Sequence, residues 1–90
     1  MEENFEFSAE AKSELFRARC YFKLIGREEE FLDDLINQLN IIQNMPEAFQ
    51  VRYKSIRIVQ FDRFDYSIHY RLQLNGKITI YHIINQKQDF

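Results

Sequence analysis

His69 and His82 are the residues of this 90-residue chain best suited to moving protons near neutral pH. They lie on either side of Asn75-Gly76, a strong hairpin signal, so antiparallel strands would set the two rings opposite each other. Three chemistries fit such a pair. A zinc site needs three or four ligands, and neither Cys20 nor a clustered carboxylate supplies the rest, so no metal is expected. A general acid–base pair acting on RNA is the catalytic alternative, with Arg71 on the same strand face as His69. Two histidines packed against each other on a sheet surface need no catalytic role. Ser67 shares that face, but no orienting acid accompanies it, so a serine nucleophile is not assembled. Cys20 lies among apolar helical residues and is expected to be a buried structural thiol. The chain has no Gly-rich phosphate loop, and no cofactor is expected.

The elements that must position these residues are legible as two periodicities. Ser8 is an N-cap, followed by Ala11, Leu15, Ala18, Phe22 and Ile25 as one apolar stripe, with Gly26 as the stop. Glu28, Glu29 and Glu30 open a second helix, whose apolar face is Phe31, Leu32, Leu35, Leu39 and Ile42. Met45-Pro46 ends it. From Phe64 to Leu74 the period switches to two: Phe64, Tyr66, Ile68, Tyr70, Leu72 and Leu74 alternate with Asp65, Ser67, His69, Arg71 and Gln73. Lys77 to Ile84 is the returning strand, Ser55 to Phe61 is another, and Phe5-Glu6-Phe7 is a short leading one. The expected fold is α+β, in the order β-α-α-β-β-β. An N-terminal helical hairpin packs on one face of a mostly antiparallel sheet, and residues 1–90 form a single domain.

A two-residue turn at Asn75-Gly76 pairs Tyr70 with Tyr81 and His69 with His82. A two-residue turn at Asp62-Arg63 pairs Val59 with Tyr66 and Ile58 with Ser67. Val59, Phe61, Tyr66, Ile68, Tyr70, Leu72, Tyr81 and Ile83 then face the helices. The opposite, open face holds Lys54, Ile56, Ile58, Gln60, Ser67, His69, Arg71, Ile78, Ile80, His82 and Ile84. It is an apolar floor edged with cations and imidazoles, suited to a partner.

Composition narrows the class. The chain is 46% hydrophobic and 16% aromatic with two Gly and one Pro, enough to fill one core and unlike a disordered segment. No apolar run exceeds the three residues Cys20 to Phe22, so a membrane span is excluded, and with one cysteine a reducing cytoplasm is expected. The net charge of −2 is uneven: residues 1–50 carry five Lys/Arg against eleven Asp/Glu, and residues 51–90 carry seven against three. The basic second half favours an anionic partner.

With these pieces in place the chain resembles the RelE/ParE superfamily of bacterial type II toxins, also called plasmid stabilisation proteins. The resemblance is carried by Phe7-Ser8-Ala9-Glu10-Ala11, the hairpin ending in Asn44-Met45-Pro46, Phe49-Gln50-Val51-Arg52-Tyr53 and Ile56-Arg57. Phe64-Asp65-Tyr66-Ser67-Ile68-His69-Tyr70, Ile78-Thr79-Ile80 and Asn85-Gln86-Lys87-Gln88-Asp89 complete it. It implies a toxin held inactive by an antitoxin. One branch cuts messenger RNA on the ribosome, and the ParE branch inhibits DNA gyrase. Where the nuclease branch is basic, the matching positions here are Ile58, Gln60 and Ser67, with Lys87 the one basic match and Asn85 at the place of a frequent histidine. Stabilising a pentavalent phosphate needs aimed cations. The resemblance therefore favours a toxin that acts by binding, gyrase-type, over a ribosome-dependent endoribonuclease with a rearranged His69/Arg71/His82 site assisted by Lys87, or a non-toxic interaction domain. The expected antitoxin surface is Lys54, Ile56, Ile58, Arg71, Ile78, Ile80 and Lys87.

Overall fold

The computed structural model describes residues 5–86. Along the chain run β1 (Phe5–Phe7), α1 (Ala9–Leu24), α2 (Glu28–Asn44), β2 (Val51–Tyr53), β3 (Ile56–Gln60), β4 (Tyr66–Leu72) and β5 (Ile78–Asn85). The expected α+β architecture is present, with β2 as a further three-residue edge strand. The strands form one sheet in the order β1-β5-β4-β3-β2, antiparallel except that β1 runs parallel to β5.

Local chemistry sets the hairpin of helices. Ser8 Oγ accepts the Ala11 N–H at 2.9 Å and donates to the Tyr81 carbonyl at 2.9 Å, so one hydroxyl caps α1 and ties it to β5. At the far end, Arg27 N–H bonds the Phe22 carbonyl and Gly26 N–H bonds that of Lys23, closing the helix around Gly26 at φ +73°. Ile25 is the C-cap rather than part of the buried stripe, and it is exposed. Three acids in the first turn of α2 face its dipole, because Arg27 offers no side-chain cap.

The core is aromatic. Phe31, fully buried, stacks on Phe22 at 4.7 Å and on Phe61 at 5.3 Å, and meets Phe64 edge-on. Each such ring contributes roughly 1.5–3 kcal/mol by burial alone. Tyr70, also fully buried, donates to the Pro46 carbonyl at 2.7 Å, and its removal from water pushes its pKa up to about 12.

Three departures from the expected register matter. The β3–β4 connection is four residues, Asp62–Asp65, not two, so Ile58 pairs with His69 and Val59 with Ile68. The buried Asp34 explains the extra length: its carboxylate accepts the N–H groups of Asp62 and Arg63 at 3.2 and 2.7 Å, holding the loop open under α2. A two-residue shift preserves parity, so the β3 faces stay as expected. The β4–β5 turn is Leu74-Asn75-Gly76, with Gln73 N–H bonding the Lys77 carbonyl and only Gly76 at positive φ. Its register is offset by a bulge between His69 and Tyr70, so Tyr70 pairs with Ile80, not Tyr81. That one-residue slip moves Ile78 and Ile80 off the open face and into the core, where they are 2% and 0% exposed. Tyr81, expected in the core, is the residue set out of register and is half-buried.

Candidate functional site

The open face of the sheet crosses β2 to β5 and carries a chain of polar contacts through its middle. His69 and His82 are directly opposite, with ring centroids 6.0 Å apart and planes at 86°. The Tyr53 hydroxyl and His69 Nδ1 share a hydrogen bond of 2.8 Å, and the two rings lie 5.9 Å apart. On the other flank His82 Nδ1 lies 3.2 Å from a carboxylate oxygen of Glu14, whose second oxygen accepts the Ile83 N–H at 2.9 Å. Tyr53, His69, His82 and Glu14 thus form one line from the β2 edge to α1.

Tyr53 and Glu14 were not singled out by sequence reasoning. Tyr53 belongs to the missed strand β2. Glu14 did leave a signal: it falls between Ala11 and Ala18, on the side of α1 that is otherwise apolar and buried. A carboxylate there must find donors inside the fold.

Towards the β4–β5 turn, Arg71 is exposed and pairs across to Thr79, next to Glu6 on β1. A shallow cleft of about 550 Å³ there is lined by Glu6, Ser55, Arg71 and Lys77 among others. Lys54 and Ser55 make the β2–β3 turn with φ of 45° and 66°, the left-handed region that side chains avoid. Away from the turns, Ile58 and Ile84 are half-buried, Gln60 is exposed, and Ser67 is only 3% exposed between its partners Gln60 and Ile84. Ile56 is buried, although apart from the main core.

The structure sets Ile58, His69 and His82 side by side on one face with Arg71 and the buried Ile56 at the same strand parity, puts Lys54 in the β2–β3 turn, and removes Ile78 and Ile80 from that face. Lys87 lies outside the described residues. Cys20, expected to be buried, is exposed on α1. Among the described residues no group of three or more His, Cys, Asp or Glu is placed to hold a metal ion, and no helix is long and apolar enough to cross a membrane.

A helical hairpin laid on one face of a five-stranded sheet, with the other face shallow and rimmed by charge, defines the structural class. The fold is shared with a solved structure described as the chromosomal ParDE TA system from P. aeruginosa, at a TM-score of 0.72 over 91% of this chain and 94% of that one, with 17% identity. A search of curated proteins finds no match. The model of the family described as "ParE toxin of type II toxin-antitoxin system, parDE" matches residues 5–90. The chain belongs to that family, and membership implies an antitoxin partner.

Proposed function

We propose that this toxin acts by binding its cellular target rather than by cutting RNA, that the target is of the gyrase type, and that the antitoxin neutralises it on the open sheet face. The reading rests on one observation. Ile58, Gln60 and Ser67 occupy the open-face positions where the nuclease branch is basic; two of the three are half-buried or buried, and none is a cation. Loss of a single charge-stabilising group typically costs about 10²–10³ in rate. A pI of 5.6 adds little attraction for ribosomal RNA.

Two assays on the purified chain test the choice of target. Supercoiled plasmid with gyrase is expected to accumulate cleaved or unresolved DNA in the toxin's presence. Ribosomes programmed with a defined codon are expected to keep their message intact. Codon-specific cleavage abolished by His69→Ala or His82→Ala reverses the reading in favour of the endoribonuclease. The observation that favours that second reading is the Tyr53–His69–His82–Glu14 line, two adjacent imidazoles each hydrogen-bonded to a hydroxyl or carboxylate.

For the antitoxin, the sheet face offers the half-buried apolar Ile58 and Ile84 and the exposed cation Arg71, with the exposed Lys54 at the β2–β3 turn, a surface on which an acidic, apolar segment can order itself. Lys54→Glu combined with Arg71→Glu is expected to weaken its binding by about tenfold or more in titration calorimetry. Reversing Glu29 and Glu30 on α2 should change it little. The opposite order would place the antitoxin on the helices.

A further inference from the structure

Helix α1 is apolar on two sides. Its inner side, Ala11, Ala18 and Phe22, is buried. Its outer side carries Phe16, Cys20 and Leu24 at successive intervals of four residues, one row along the helix. Phe16 is 67% exposed, Leu24 86%, and Ile25 at the helix end 49%; Cys20 is exposed as well. One exposed apolar residue needs no explanation, whereas several in line on a helix already packed from behind mark a contact surface.

The charges around the row are of one sign. Lys12 and Lys23 lie along one flank and Arg17 along the other, and none of the three joins an ion pair among the described residues. Arg19 is neutralised by Glu28 at 2.9 Å, and Glu14 is turned inward onto Ile83 and His82, which leaves Glu10 as the one uncommitted acid of α1. The acidity of the N-terminal half sits on α2, which contains Glu28, Glu29, Glu30, Asp33 and Asp34 and no Lys or Arg.

We infer that the outer row of α1 is a docking surface for an acidic amphipathic helix of a partner protein. From Phe16 to Leu24 the row is about 12 Å long, the reach of two turns of a partner helix with anchors at i, i+4 and i+7. A second copy of this chain fits poorly. Antiparallel pairing of α1 with itself about Cys20 would set Phe16 against Leu24, but it would also set Arg17 against Lys23 twice. The inference is independent of what occupies the sheet face.

The test uses the full chain and two synthetic amphipathic peptides of equal length and identical leucine pattern, one with a glutamate polar face and one with lysine. In fluorescence anisotropy the glutamate peptide is expected to bind at least about tenfold tighter. Amide resonances that shift should map to α1. Phe16→Ala with Leu24→Ala should cost about tenfold or more, and Lys12→Glu with Lys23→Glu should invert the peptide preference. All these positions are exposed, and circular dichroism checks that the variants fold. Equal affinity for both peptides, binding of neither, or shifts confined to the sheet would overturn the inference. So would a dimer in sedimentation that Phe16→Ala dissolves, which would make a second copy the occupant. Preferential binding of the row to anionic lipid vesicles would overturn it as well.

Discussion

The carboxylate of Glu14 stands where a strand would otherwise be needed. β1 ends at Phe7 opposite Ile80, and further along the same edge of β5 the Ile83 N–H is satisfied by Glu14 across from α1. Glu14→Ala leaves that half-buried amide without its partner and should cost about 1–3 kcal/mol in urea unfolding, while Glu14→Gln, which keeps an acceptor oxygen, should cost less. A wild-type midpoint for the alanine variant would show the contact to be incidental. Tyr70 allows a prediction in pH. Its neutral form is favoured in the fold, so the native state keeps its proton where the unfolded chain, with a pKa near 10, has lost it. The resulting stability is complete below pH 10 and falls as pH rises towards about 12. Tyr70→Phe should remove that alkaline limb and, by losing the bond to the Pro46 carbonyl, cost about 1 kcal/mol at neutral pH. A 295 nm titration in which every tyrosine ionises together near pH 10 with the fold intact would contradict the assignment.

At the scale of elements, the two hairpins exchanged their chemistries. An Asn-Gly pair suits a two-residue turn with positive φ at both positions, yet Asn75 is not at positive φ and the turn has three residues. The two-residue turn with both positions left-handed is Lys54-Ser55, built from residues that resist that conformation. Ser55→Gly should therefore stabilise the chain by about 1 kcal/mol, read as a rise in melting temperature, and a fall would mean that the Ser55 side chain makes a contact worth more than the strain. The alternation through β4 was visible in the residues because one face is buried and one is not. The pairing of His69 with His82 was expected from a two-residue turn and holds because two departures cancel: the three-residue turn shifts the register by one, and the bulge at Tyr81 shifts it back before His69. Ile78 and Ile80 were misplaced because a bulge changes the parity of a strand while leaving no mark in an Ile-Thr-Ile sequence. The four-residue β3–β4 loop was equally invisible, since its cause, Asp34, lies 28 residues earlier than Asp62 in the chain.

For the whole molecule, the segregation of charge by half-chain proved coarser than the segregation by surface. The net negative N-terminal half contains the cationic outer row of α1, and only the three-dimensional turn of Glu14 and the pairing of Arg19 reveal it. Long-range attraction to an acidic partner should therefore depend on salt at both surfaces. The loss caused by Lys54→Glu with Arg71→Glu should shrink as ionic strength rises, because the Debye length falls from about 30 Å at 0.01 M to about 10 Å at 0.1 M. A loss unchanged by salt, measured by calorimetry at both strengths, would point to lost side-chain packing in place of charge.

The parallel pairing of β1 with β5 carries a consequence for the birth of the protein. β5 is the last strand among the described residues, yet it lies between β4 and β1 and supplies Ile78, Ile80 and Ile83 to the core. A nascent chain emerging from the ribosome holds β1, both helices and β2 to β4 without the strand that joins the two ends of the sheet. Contacts between the first and last strands carry the highest cost of loop closure and form late. The open face of the sheet is therefore complete only once β5 has settled between β4 and β1, so the surface it offers is among the last features of the fold to form.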